Sequence, residues 1–146
     1  MELIIDKVMA LKAVNIFSNL PEHILAEIAE IIDIEEYTEG ETIINKGDIG
    51  NSMYLIRKGK VKVHDGDKIF ARLNENDIVG ELSLLAPVPR TANVTATENL
   101  VLFKIEREYF MDLLYEEPEL MHGIMEVLVN RIMHLNDKIR SLQSAS

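Results

Sequence analysis

A glycine, an acid and an arginine near the middle of this chain have the types and spacing needed to hold an anion. Gly80 lets the backbone approach a ligand closely, and residues 81–85 are enough for one helical turn whose first amides point at negative charge. Arg90 supplies a planar cation that can bind two phosphate oxygens, with the Thr91 hydroxyl beside it. The Glu81 carboxylate would repel a phosphate unless it accepts a hydrogen bond from a sugar hydroxyl. A ligand that carries a phosphate next to a ribose fits both groups.

The stretch 79–94 contains Gly-Glu-Leu-Ser-Leu from position 80 and Pro-Arg-Thr-Ala-Asn-Val from position 89, joined by a short loop. It resembles the phosphate-binding cassette of cyclic nucleotide-binding domains, which occur in regulatory regions of cAMP- and cGMP-dependent kinases, nucleotide-gated channels and bacterial transcription regulators. Val79 stands where that family often has an aromatic residue, and Ser83 stands where it usually has Ala. The resemblance covers nearly the whole chain.

The resemblance implies a mainly β fold with flanking helices: an eight-stranded β-roll or jelly roll with N-terminal helices, a short cassette helix and C-terminal helices. It also implies a regulatory module that binds cAMP or cGMP and couples binding to movement of its C-terminal helix. No cofactor is expected besides this ligand. The binding residues implied by the cassette are Gly80, Glu81, Leu82, Ser83, Arg90, Thr91 and Ala92.

Four further residues are candidates for contact with the base. Val61, Val63 and Leu73 stand on predicted strands before the cassette, where they either line an apolar slot for a purine or pack in the core. Arg131, beside the apolar stripe of the last helix, is either a lid residue that stacks on the base or a solvated surface arginine. In the family, Thr at the position of Thr91 is common in cGMP-responsive members, which leaves cAMP and cGMP both open.

The composition limits the classes of function. With 146 residues, of which 47% are hydrophobic, the chain fits a single domain spanning 1–146. Its net charge of −10 disfavours nucleic acid and anionic membranes as partners, and a phosphate would have to be held by local groups. No apolar stretch approaches the roughly 18 residues of a membrane span, so no membrane insertion is expected. The absence of cysteine is typical of a reducing compartment, and the expected location is cytoplasmic.

Hydrophobic periodicity divides the predicted domain into three parts. Residues 1–33 contain two amphipathic helices, the second opened by Pro21. Residues 34–105 contain short strand-like runs separated by turns, which predict the β-roll with the cassette at 79–94. Residues 106–146 are helical again, with a break near Pro118. The predicted strands are 42–44, 53–57, 60–64, 68–73, 94–97 and 100–105.

The last predicted helix carries an apolar stripe in heptad spacing. Its members are Met121, Met125, Leu128, Ile132, Leu135, Ile139 and Leu142. Either the stripe is the seam of a homodimer, or its first half packs on the β-roll as a lid and the remainder meets another partner. The spacing alone does not choose, because about three heptads are the lower limit for a coiled coil.

The residues that enzymes use for catalysis do not fall into a recognisable arrangement here. The four histidines lack metal-ligand spacing, the carboxylates have no partner base, and no serine stands in a Gly-x-Ser-x-Gly elbow. We therefore expect a metal-free regulatory module, not an enzyme, that acts alone or on a fused or partner effector domain. The main alternative is a ligand-free dimerisation or scaffolding domain that keeps the fold.

Overall fold

The computed structural model describes residues 3–144, so positions 1–2 and 145–146 of the predicted domain lie outside the described part. The described chain contains four α-helices and ten strands. The helices are α1 (Ile4–Lys12), α2 (Glu22–Glu30), α3 (Arg107–Glu116) and α4 (Pro118–Ser144). The strands are β1 (Ile32–Tyr37), β2 (Thr42–Ile44), β3 (Ile49–Gly50), β4 (Ser52–Lys58), β5 (Val61–Asp65), β6 (Lys68–Leu73), β7 (Ile78–Val79), β8 (Val88–Pro89), β9 (Asn93–Ala96) and β10 (Leu100–Glu106). Short 3-10 turns lie at Asn15–Phe17 and Glu81–Leu84.

Eight of the strands form two four-stranded antiparallel sheets, and the other two pair with each other. The strand orders are β1-β10-β4-β7 and β2-β9-β5-β6, and β3 pairs with β8. The two sheets enclose an apolar cluster that includes Ile44, Ile56, Val94 and Leu102. This arrangement confirms the predicted mainly β fold with flanking helices.

Some strand boundaries differ from those expected. The β-roll begins at Ile32 and not at residue 34, and β1, β3, β7 and β8 were not predicted from the sequence. The last three are two residues long, too short to show alternation. Strand β1 lies at the edge of its sheet, and most of its side chains, including Ile34, are not buried, so its apolar pattern is weak.

A second apolar cluster joins the helices to the sheet that contains β4 and β10. Helix α2 contributes Ile24 and Ile28, which lie one turn apart on its buried face. Phe17, in the first 3-10 turn, and Phe110 of α3 pack with ring centroids 5.9 Å apart. The same cluster includes Leu84 of the second 3-10 turn. The helices and the cassette therefore share one core.

Helix α4 begins at Pro118, close to the predicted break, but it packs through a face other than the apolar stripe. Its buried residues are Leu120, Gly123, Ile124 and Val127. Six members of the stripe are exposed, and only Leu128 is partly buried against the core. The interpretation in which the first half of the stripe packs on the β-roll is therefore wrong. Residues 132–144 are all exposed. No described helix is both long enough and apolar enough to cross a membrane.

Candidate functional site

The cassette lines an open cavity of about 350 Å³. This volume is within the range of small-molecule sites. The lining residues are Ile44, Val63, Val79, Gly80, Glu81, Leu82, Ser83, Val88, Pro89, Arg90, Thr91, Ala92 and Val94. All the binding residues expected from the cassette are among them, so the fold brings that set to one place. Their contact with a ligand stays a prediction.

Gly80 begins a single 3-10 turn, Glu81–Leu84, where a short helix is expected. Its φ of 76° lies in the left-handed region, which glycine adopts without strain, and a side chain there would clash with Nη1 of Arg90. The Ser83 amide donates to the Gly80 carbonyl at 3.0 Å, and Leu84 is buried beneath the turn. The first amides of a helical turn have no acceptor within it, so they can bind an anion.

The Arg90 guanidinium is half-buried and is held by neutral groups. Its Nη2 donates to the Ser52 carbonyl at 2.8 Å, and its Nη1 donates to the Ser83 hydroxyl at 3.2 Å. Within residues 3–144, no carboxylate forms an ion pair with it. Burial disfavours the charged form and lowers the pKa of Arg90, yet an arginine keeps its proton in a protein. The cavity therefore contains a positive charge that an anionic ligand would neutralise.

The backbone of Arg90 is fixed by a turn that the sequence analysis did not assign to the site. Its N–H donates to the Asp48 carbonyl at 2.7 Å, and its own carbonyl accepts from the Gly47 N–H at 2.9 Å. With the Ser52 carbonyl, these bonds make the segment 47–52 the support of Arg90. The Gly-Asp pair in the sequence indicates only a turn, because an acceptor on the backbone leaves no trace in the residue type.

The Glu81 carboxylate binds an arginine of α4. Nη1 of Arg131 donates to Oε1 of Glu81 at 2.5 Å, and the exposed fractions of the two side chains are 32% and 24%. The same guanidinium donates to Oδ1 of Asn15 from Nε at 3.2 Å and from Nη2 at 2.6 Å. Arg131, a candidate lid residue, does not line the cavity. It links α4 to the cassette and to the N-terminal 3-10 turn.

The three apolar candidates for the base pocket lie at different depths. Val63 lines the cavity and, like Leu73, packs against the core cluster in which Val61 is buried. Val61 and Val63 share one face of β5, since alternate residues of a strand point the same way. The sequence pattern therefore could not separate the residue at the cavity from the residue beneath it. Leu82 is about half exposed where it lines the cavity.

The fold and the cavity agree with a comparison against protein families. The family model described as the cyclic nucleotide-binding domain matches residues 34–117, which is more than half of the chain and contains the whole cassette. The chain belongs to the cyclic nucleotide-binding domain family.

Relatives include both eukaryotic and bacterial proteins. The chain is 35% identical to human cGMP-dependent protein kinase 2 over 107 residues, which are 68% of this chain and 14% of the kinase. It is 33% identical to a cyclic nucleotide-gated channel of Caenorhabditis elegans, over 75% of this chain and 16% of the channel. A CRP-like cAMP-activated global transcriptional regulator of Mycobacterium tuberculosis is 25% identical over 94% of this chain and 62% of the regulator. The chain thus spans a small part of the kinase and of the channel.

Solved structures support the fold. The N-terminal domain of a transcriptional regulator from Streptomyces coelicolor superposes with a TM-score of 0.82 at 27% identity, covering 89% of this chain and 94% of that one. A cyclic nucleotide-binding-like protein from Brucella abortus gives a TM-score of 0.70 at 22% identity, covering 75% of this chain and 98% of that one. The second similarity concerns the fold alone.

Proposed function

We propose that the chain is a regulatory module that binds one cyclic nucleotide, cAMP or cGMP, in the cavity of the cassette. The observation that carries this proposal is the half-buried Arg90 cation, held by neutral groups beside the turn that begins at Gly80. A cyclic phosphate supplies the missing negative charge, and two of its oxygens match the fork of a guanidinium. Membership of the family supports the same class of ligand.

Other groups of the cavity fit the remaining parts of the nucleotide. Oε1 of Glu81 already binds Arg131, which leaves Oε2 to accept a hydrogen bond from a ribose hydroxyl. The apolar side chains of Ile44, Val63 and Val79 offer a surface for the base. In this assignment the chain binds its ligand without converting it, since no group is placed as a nucleophile or as a general base.

The output that we propose is a change in the position of α4. Glu81 has two partners in this scheme, a ribose hydroxyl of the ligand and Arg131 of α4. A ligand that draws the carboxylate toward the cavity changes the free energy of the Glu81–Arg131 pair, so occupancy and helix position become linked. Coupling of this kind is typically about 1 to 3 kcal/mol. Asn15 extends the same link to the N-terminal turn.

The exposed stripe of α4 supports a protein partner as part of this function. Its side chains from Ile132 to Leu142 present apolar surface away from the core. We favour a second copy of the chain, in a homodimer, over a fused or separate effector domain. The stripe also underlies the other candidate function, a dimerisation or scaffolding domain that binds no nucleotide.

Calorimetric titration and thermal unfolding with cAMP and with cGMP test this proposal. We expect a Kd in the micromolar range or tighter for at least one of them, equivalent to about −8 kcal/mol, and a corresponding rise in Tm. The open-chain nucleotides 5′-AMP and 5′-GMP serve as controls that lack the cyclic phosphodiester, and we expect them to bind more weakly. Neither heat nor a Tm shift at millimolar cAMP and cGMP would favour the scaffolding function.

A further inference from the structure

Gly50 lies against Arg90 although its own backbone does not require glycine. Five glycines of the described chain have a positive φ, among them Gly47 and Gly80, and Gly50 is not one of them. It is a buried residue of β3 and pairs with Val88 of β8. Any L residue can adopt this extended strand conformation. What excludes a side chain at position 50 is therefore the space around it.

A Cβ at position 50 would stand too close to three atoms of the site. It would lie 2.5 Å from Oγ of Ser83, 2.7 Å from Nε of Arg90 and 2.8 Å from Cζ of Arg90. At such distances an atom has to move. Ser83 is buried, with 3% of its surface exposed, so the turn that carries it has little freedom. The half-buried guanidinium is the group that can move.

Movement of the guanidinium would disturb the bonds that hold it. Nη1 donates to Ser83 and Nη2 donates to the Ser52 carbonyl, two residues after Gly50. Hydrogen bonds weaken steeply as their angles bend, and a two-oxygen contact with phosphate needs both nitrogens in place. A side chain at position 50 would therefore change the orientation of the Arg90 guanidinium.

We propose that Gly50 is a positioning residue of the anion site: the absence of a side chain there sets where the Arg90 guanidinium lies and so how tightly the phosphate is held. This inference rests on the proposed function, since phosphate is taken as the ligand of Arg90. It adds to the site a determinant outside the cassette, in the strand β3. A merely space-filling role for Gly50 would affect stability and leave the affinity unchanged.

The test compares Gly50→Ala with the parent by calorimetric titration with cAMP and with cGMP. For the nucleotide that the parent binds, we expect a Kd at least tenfold weaker in Gly50→Ala. In an Arg90→Ala background the same change should alter Kd less than twofold, because the group that it displaces is gone. Equal losses in the two backgrounds, or a Kd within twofold of the parent, would overturn the inference.

Gly123→Ala is the matched control. Gly123 also lacks a positive φ, and a Cβ there would meet a core side chain, with Cδ2 of Leu20 at 2.6 Å. It lies on α4 and does not line the cavity. We expect Gly123→Ala to change Tm and to change Kd less than fivefold, because α4 acts on the cavity indirectly, through the Glu81–Arg131 pair. A tenfold loss of affinity in this control would show that packing changes anywhere in the core weaken binding, which would contradict a specific role for Gly50.

Arginine side-chain NMR tests the position of Arg90 without any nucleotide. The Nε–H resonance of Arg90 should shift in Gly50→Ala and stay unchanged in Gly123→Ala; an unchanged resonance in Gly50→Ala would overturn the inference. A parent that binds neither nucleotide would reject the proposed function, and this measurement would still decide whether Gly50 positions Arg90. If Gly50→Ala does not fold, the double variant Gly50→Ala/Ser83→Ala is compared with Ser83→Ala. Both lack Oγ of Ser83, the atom closest to the added Cβ.

Discussion

At the scale of single residues, the two charged groups of the cassette are held in opposite ways. Arg90 is bound by a carbonyl and a hydroxyl, so its charge is not neutralised. Glu81 is bound by Arg131, an opposite charge from another element. The cavity therefore presents a cation that no described carboxylate pairs with and a carboxylate that is already paired, which is why we propose a phosphate for Arg90 and a neutral hydroxyl for Glu81.

Removing either group should weaken nucleotide binding without unfolding the chain. We expect Arg90→Ala and Glu81→Ala each to cost roughly 2 kcal/mol or more of binding free energy, the value of a charge-assisted hydrogen bond. Arg90→Lys is the control that keeps the charge and loses the planar fork, and its affinity should fall between those of the parent and of Arg90→Ala.

The measurements are calorimetry for affinity and urea titration for stability. Arg90→Ala should unfold at about the same urea concentration as the parent, because it removes a partly buried cation that has no ion pair within residues 3–144. Parent-like binding in both alanine variants, or affinity that falls only in step with stability, would contradict these roles.

The residue types in the sequence predicted the cassette but not its support. Arg90 and Glu81 could be identified because their side chains carry the chemistry. The acceptor at Ser52 and the bonds to Gly47 and Asp48 belong to the backbone, which every residue has. Such contacts become visible only when the chain path is known.

At the scale of elements, α4 shows why a helix can be predicted from its apolar periodicity while the face that it buries is predicted wrongly. The packing residues Leu120, Ile124 and Val127 are apolar and have the same spacing as the stripe members one position later. Both rows satisfy the periodicity of a helix face. Only contact with Leu20 and the neighbouring core decides which row is buried. All four described helices and six of the ten described strands were indicated by the sequence, whereas the six-residue β1 was missed because its apolar pattern is weak.

Two carboxylates lie next to each other where helices meet: Glu27 in α2 and Glu117 in the connection between α3 and α4. Burial raises the pKa of Glu27, and the neighbouring charge of Glu117 raises it further. Its Oε2 is buried and has no hydrogen-bond partner within the described chain. A raised carboxyl pKa means that the folded protein binds a proton more readily than the unfolded chain. The ionised form therefore opposes folding at pH 7, and this cost disappears as the pH falls below the ordinary value of 4.5.

Glu27→Gln should stabilise the fold near neutral pH, because the amide removes the charge and keeps the shape. We expect a higher Tm than that of the parent at pH 7 and a difference that shrinks toward zero at about pH 4. Glu98→Gln, at an exposed position, is the control and should change Tm little at either pH. A variant less stable than the parent at pH 7 would show that the carboxylate is favourably paired.

At the scale of the whole molecule, a local positive site exists in a strongly acidic chain. The net charge of −10 repels anions at long range, so binding depends on groups within a few ångströms. The same charge disfavours close association of two copies except where apolar surface is available. On the described surface, the exposed stripe of α4 provides such a place.

Light scattering can test the stripe as a dimer seam. We expect the parent to have the mass of a dimer at high protein concentration, and Leu135→Lys/Ile139→Lys to be a monomer, because two charges in a short seam oppose its burial. Asp137→Lys, exposed on the same turns but outside the stripe, is the matched control and should remain a dimer. A parent that stays monomeric at high concentration would reject the seam and leave the stripe for an effector domain.

In the proposed output, the distal part of α4 would amplify a small displacement at the site. Residues 132–144 begin immediately after Arg131, the side chain that ties the helix to Glu81, and they extend about 20 Å at 1.5 Å per residue. In that scheme Arg131 lies near the point about which the exposed segment would turn. A tilt of roughly ten degrees about that point would carry the far end about 3.5 Å, more than the length of the ion pair at its base. In the proposed output, a partner bound at the far end of α4 would be displaced further than the Glu81–Arg131 pair.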